Sequence, residues 1–209
     1  MILKAEGETI STKKIFKDDE PGFVHVDIKY LPQMPDESSR RYLFVAIDRA
    51  TRWVFLHIYG DMTDKSSVDF LRRLKLASPI KIIKLLTDNG SQFNDRFTTK
   101  DRKPSGRHAF DKVCAAKGIE HRLATPRHPQ TNSMVERFND RISELLQQTR
   151  FDSHADLEST LLNYLKLYNH HIPQWAIGAK TPIQALKEWQ QKKPELFVKR
   201  IYDQTGLDI

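Results

Sequence analysis

The sequence contains one cysteine in 209 residues, Cys114. A single thiol excludes an internal disulfide and excludes a zinc site built from several thiolates. Cys114 lies in a helix-like run with Phe110 and Val113, so we predict a small, buried core residue. The absence of disulfides is typical of a reducing compartment, and we therefore expect a cytoplasmic protein.

Long apolar runs are also missing. No stretch approaches the ~20 consecutive apolar residues that a helix needs to cross a bilayer. The first eight residues carry too much charge for a secretory signal. Both observations favour a soluble protein over a membrane protein.

Acidic residues are outnumbered by basic ones, with 27 Asp+Glu against 34 Lys+Arg and a formal net charge of +7. A positive excess suits a polyanionic partner such as nucleic acid. Many basic domains bind no nucleic acid, so the charge balance alone identifies no partner.

The hydrophobic pattern predicts an α/β domain with a mixed five-stranded sheet flanked by helices. We predict strands at 22–30, 41–47, 53–59, 80–86 and 119–123, and helices at 64–77, 108–117, 133–149, 155–168 and 181–189. We expect a flexible loop at 94–107. The predicted organisation is an arm or linker remnant at 1–20, one core domain at 21–190 and a C-terminal tail at 191–209.

Three carboxylates occupy positions from which they could share a cleft. Asp27 lies within a predicted strand, Asp88 directly follows a buried strand, and Glu136 opens a helix. Oxygen ligands on rigid elements are what Mg²⁺ requires for phosphodiester chemistry. Alternatives remain for two of them: Asp88 suits a turn, and Glu136 suits the positive end of a helix dipole. Asp27 is harder to explain otherwise, because an isolated buried carboxylate is costly.

Four ordered motifs resemble the catalytic core of retroviral-integrase-type DDE transposases, especially those of bacterial insertion sequences. They are Phe23-Val-His-Val-Asp-Ile-Lys29, Tyr42-Leu-Phe-Val-Ala-Ile-Asp-Arg-Ala-Thr-Arg-Trp53, Leu86-Thr-Asp-Asn-Gly-Ser-Gln-Phe93 and His128-Pro-Gln-Thr-Asn-Ser-Met-Val-Glu-Arg-Phe-Asn139. Tyr168-Asn followed by Thr181-Pro resembles the end of that core. The similarity covers most of the chain, from about Phe23 to Trp189.

The resemblance implies an RNase H-like fold, with Asp27, Asp88 and Glu136 as catalytic residues that bind two Mg²⁺ or Mn²⁺ ions. It implies nicking of transposon ends and their transfer into target DNA by a homo-oligomer in the bacterial cytoplasm. Two other functions stay open: an RNase H-like nuclease that cannot join strands, and a non-catalytic DNA-binding remnant of a transposase.

We also predict DNA contacts around the glutamate helix and in the preceding basic loop. The candidates are Lys103, Arg107, Arg127, His128, Gln130, Asn132, Arg137, Asn139 and Arg141. Three positions depart from the family pattern: Ser133 stands where relatives often have glycine, and Asp140 and Ser143 stand where integrases often have lysines. Glu136 follows Asp88 by 48 positions (136 − 88), an interval longer than is usual in the family.

Overall fold

The computed structural model describes residues 20–95, 103, 105–124 and 133–201. Residues 1–19 of the predicted N-terminal arm and four candidate DNA contacts, Arg127, His128, Gln130 and Asn132, lie outside these residues. Most of the predicted loop at 94–107 does so as well.

The core of the protein is a mixed five-stranded sheet, as predicted. Its strands are β1 (Phe23–Tyr30), β2 (Tyr42–Asp48), β3 (Val54–Tyr59), β4 (Lys84–Thr87) and β5 (Glu120–Leu123), in the spatial order β3-β2-β1-β4-β5. The first three strands are antiparallel neighbours, whereas β1, β4 and β5 run parallel. Strand β1 is therefore central and joins the two halves of the sheet.

Helices cover both faces of this sheet. They are α1 (Asp64–Ala77), α2 (Ala109–Ala116), α3 (Ser133–Gln148), α4 (His154–His170) and α5 (Pro182–Lys192). Residues of α1, α2 and α5 pack with Val24 and Val26 of β1, while residues of α3 and α4 pack with Val45 and Ile47 of β2. No helix in the described part of the chain has the length and apolarity to cross a membrane.

Local signals explain where several helices begin and end. Thr63 caps α1 by accepting a hydrogen bond from the Ser66 backbone N–H, and Thr181 forms a full capping box before Pro182. Gly118 adopts φ +66° after α2, a conformation that glycine reaches at little cost. Cys114 is buried, as the sequence predicts.

The predicted strand at 80–86 is wrong in its first half, because β4 begins only at Lys84. Lys81 N–H donates to the Leu196 carbonyl, Ile83 N–H donates to Gly22, and Ile80 forms a single bridge with Phe197. Ile80 is buried against the segment after α5, whereas Ile83 is exposed, so this part of the run does not extend the sheet. An apolar run in the sequence does not identify the hydrogen-bonding partner of its backbone.

Candidate active site

Asp27 and Asp88 are brought together by the pairing of two parallel strands. The β1–β4 register places His25 opposite Leu86, an offset of 61 residues (86 − 25). The same offset of 61 (88 − 27) relates Asp27 to Asp88, which directly follows β4. Neighbouring strands lie ~4.8 Å apart, so the register brings both carboxylates to one edge of the sheet.

The turn after β4 fixes the Asp88 carboxylate. Its Oδ1 accepts a hydrogen bond from the Gly90 backbone N–H at 3.0 Å. The neighbouring Asn89 amide donates to the Ala124 carbonyl at 2.8 Å, which ties the turn to the end of β5. Asp88 therefore does form a turn, as the simpler interpretation predicts, but the turn also holds it beside Asp27.

Helix α3 packs against β1 and brings Glu136 to the same region. Asn139 Nδ2 donates to Asp27 Oδ2 at 2.8 Å, and Lys29 Nζ donates to Ser143 Oγ at 2.5 Å. These contacts align two turns of the helix with the polar face of the strand. Glu136 is exposed in the first turn of α3, one turn before Asn139.

The electrostatics of Asp27 reflect this grouping. Burial raises the pKa of Asp27 most, and the charges of Asp88 and Glu136 raise it further, while hydrogen bonds from Ile28 and Asn139 oppose the rise. Burial also raises the pKa of Asp88, against the hydrogen bond from Gly90. The ionised forms are thus disfavoured in the free protein, a cost that a bound cation would relieve.

The donor set suits a hard divalent cation, which prefers carboxylate oxygens. Among the described residues, however, no three His, Cys, Asp or Glu side chains already lie together as a metal-binding group. Asp27 accepts a hydrogen bond from Asn139, Asp88 accepts one from Gly90, and Glu136 is exposed.

A hydrogen-bonded chain supports the strand that carries Asp88. Thr87 Oγ1 lies 2.9 Å from His121 Nε2, and His121 Nδ1 lies 2.5 Å from Asp111 Oδ1. The three residues come from β4, β5 and α2, so their hydrogen bonds connect those elements next to Asp88. Sequence reasoning missed this chain, because no local signal pairs residues so far apart.

The predicted DNA-contact residues divide into separate places. Lys103 and Arg107 are exposed near the basic loop, while Arg137 and Arg141 are exposed on α3. Asn139 differs: it is only 8% exposed, and its amide donates to Asp27. The structure therefore shows Asn139 supporting a carboxylate, whereas a direct contact with DNA stays a prediction.

Comparison with known proteins gives two matches to family models, both described as integrase core domain. They span residues 18–129 and 117–182. The putative integrase ORF3 of Spiroplasma virus SpV1-C74 is 24% identical over 173 residues, which cover 80% of this chain and 48% of that protein. The Pro-Pol polyprotein of feline foamy virus is 26% identical over 146 residues, which cover 70% of this chain and 11% of that protein. The chain thus spans less than half the length of these curated relatives.

Solved structures show the same fold. The catalytic core domain of BIV integrase superimposes with a TM-score of 0.59 at 19% identity, covering 83% of this chain and 98% of that one. The HTLV-2 integrase catalytic core domain, in complex with magnesium in a trimeric form, gives 0.57 at 20% identity, covering 79% and 97%. These likenesses confirm the RNase H-like fold. Together with the family-model match over more than half of the sequence, they show that the chain belongs to the integrase core domain family.

Proposed function

We propose that this chain is the catalytic core of a DDE-type polynucleotidyl transferase that nicks DNA at transposon ends and joins those ends to target DNA. The observation that carries the proposal is the shared 61-residue offset, which continues the β1–β4 register to Asp27 and Asp88, while the charge of Glu136 on α3 acts on Asp27. Membership of the integrase core domain family supports the reaction class.

In this proposal Asp27, Asp88 and Glu136 hold two divalent cations, Mg²⁺ or Mn²⁺. When bound, such metals activate a water or a 3′-hydroxyl for attack and stabilise the charge that develops on the phosphate. The chain's own residues provide the positioning. Asn139 orients the Asp27 carboxylate and Gly90 orients Asp88, so the ligand oxygens need little reorganisation.

The proposed partners are transposon-end and target DNA, which agree with the net charge of +7. A homo-oligomer of two or more copies is proposed because two ends must be joined together. A bacterial, cytoplasmic, DNA-associated protein of an insertion sequence is the proposed setting.

A branched DNA substrate tests this function without knowledge of the end sequence. It carries a 3′-hydroxyl beside the phosphodiester to be cut, so the reaction requires little end recognition. We expect the wild-type chain to produce both cleaved and rejoined strands with Mn²⁺ or Mg²⁺, and neither product in EDTA.

The products of this assay separate the alternatives. Metal-dependent cleavage without rejoining would identify a nuclease. Binding of the branched DNA without either product, at any Mn²⁺ concentration, would identify a non-catalytic remnant and refute the proposed reaction.

A further inference from the structure

A pocket of about 190 Å³ lies between α3, the β2–β3 turn and the segment after α4. Three arginines line it: Arg52 from the turn, and Arg137 and Arg141 from α3. The α3 residues that line the pocket are Met134, Arg137, Phe138 and Arg141. They lie ~100–160° around the helix from Glu136, on the flank away from Asn139.

The three guanidinium groups are not neutralised locally. Within residues 20–95, 103, 105–124 and 133–201, none of them forms an ion pair with a carboxylate. Tyr168 and then Asp48 raise the pKa of Arg52, and both carboxylate oxygens of Asp48 already accept hydrogen bonds from Gly22 and Thr51. Burial, Arg137 and Arg49 all lower the pKa of Arg52, so an anion in the pocket would stabilise its charge.

Arg52 is held in place by its backbone. It adopts φ +62°, an uncommon conformation for a residue with a side chain, and its N–H donates to the Asp48 carbonyl at 2.9 Å. The guanidinium contacts the Met134 thioether on α3. Strained conformations of this kind persist where the surrounding structure fixes them, often at ligand sites.

The rim of the pocket carries an exposed aromatic ring on an ordered turn. Trp175 is 90% exposed, yet hydrogen bonds between Gln174 and Lys180, and between Ala179 and Gln174, close its turn. Arg141 donates to the Gln174 amide at 3.2 Å and lies 5.8 Å from the centre of the Tyr168 ring. The Trp175 ring is therefore exposed to solvent on a turn that backbone hydrogen bonds keep ordered.

We propose that this pocket binds a backbone phosphate of an unpaired nucleotide in bound DNA, with the base stacked on Trp175. The volume is below the ~300–1,000 Å³ of typical small-ligand sites, so it accommodates the phosphate while the base stays outside. Guanidinium groups match phosphate oxygens, and an indole stacks on a base only when that base is free of the duplex. This inference rests on the proposed function for its partner, DNA.

The test measures equilibrium binding in EDTA, so that no phosphodiester reacts. We compare a blunt duplex with the same duplex carrying a single-stranded tail, using wild type, Trp175→Ala and Arg137→Gln. Arg72→Gln is the matched control, because it removes an exposed arginine from α1, which packs on the other face of the sheet.

The tailed duplex should bind wild type more tightly than the blunt duplex does. Trp175→Ala should weaken binding of the tailed duplex about 5- to 100-fold, with little effect on the blunt one, and should abolish the tail-dependent quenching of tryptophan fluorescence. For the tailed duplex, the slope of the logarithm of the binding constant against the logarithm of the salt concentration should become less steep by about 0.7 in Arg137→Gln. Arg72→Gln should change neither quantity.

If wild type, Trp175→Ala and Arg137→Gln bind the tailed duplex equally, the pocket does not bind DNA and this inference is overturned. The proposed function would remain intact. Failure of wild type to bind either DNA would instead contradict the proposed function. An acidic peptide and a single-stranded oligonucleotide can each be added as a competitor of the tailed duplex. If the peptide displaces the duplex as effectively as the oligonucleotide does, the pocket binds protein carboxylates and the proposal is overturned.

Discussion

Replacing Asp88 by asparagine should reduce metal-dependent cleavage and joining of the branched DNA by about 1,000-fold or more. The substitution removes a negative charge from the proposed metal site but keeps an oxygen that can accept the Gly90 hydrogen bond. The protein should therefore still fold, but the carboxylate that would bind the metal is absent. Single-turnover rates with Mg²⁺ and Mn²⁺, together with melting temperatures, provide the measurement.

The matched comparison for this prediction uses helix α3. Glu136→Gln should be as inactive as Asp88→Asn, whereas Glu144→Gln, which removes an exposed carboxylate of the same helix, should react at the wild-type rate. Joining by Asp88→Asn within a few-fold of wild type would show that the reaction does not depend on this carboxylate.

Replacing Asp48 by alanine should lower the free energy of unfolding by about 3 kcal/mol, since it leaves buried donors without acceptors. Asp48 is fully buried and accepts hydrogen bonds from Gly22 N at 2.8 Å, Thr51 N at 2.9 Å and Thr51 Oγ1 at 2.7 Å. These bonds join the start of β1 to the β2–β3 turn. For a chain of this length, we expect a melting temperature lower by about 6–12 °C.

Thermal and denaturant unfolding check this value, with Asp152→Ala as the control because Asp152 is exposed. A melting temperature of Asp48→Ala within a degree of wild type would show that the Asp48 hydrogen bonds do not stabilise the sheet.

The elements of the fold were largely predictable because their signals are local. The alternation of apolar and polar residues identifies β1. Apolar residues at helical spacing identify α1 and α3, and capping residues mark the starts of α1 and α5. The strand at 80–86 was not predictable in full, because its first residues bond to the distant Leu196 carbonyl and to Gly22.

The candidate site was predictable as a set of residues but not as a geometry. The order of the motifs singles out Asp27, Asp88 and Glu136, while the register that aligns the first two is a tertiary property. Asn139 shows the limit most clearly. Its place one turn after Glu136 suggests contact with DNA, yet its side chain is buried and donates to Asp27 of β1.

The central claim is that the three carboxylates form one divalent-metal site, and comparison of wild type with Asp27→Asn tests it most directly. The raised pKa of Asp27 means that its charge destabilises the folded state at neutral pH, a cost that disappears as the pH falls below the ordinary value of 3.8. Without metal at pH 7, Asp27→Asn should therefore melt at a higher temperature than wild type.

Added Mn²⁺ or Mg²⁺ should reverse that order by binding and stabilising wild type alone. Calorimetric titration should show Mn²⁺ binding to wild type and its loss in Asp27→Asn. Equal Mn²⁺ affinity and equal metal-induced stabilisation in the two proteins would contradict a metal site at Asp27, Asp88 and Glu136.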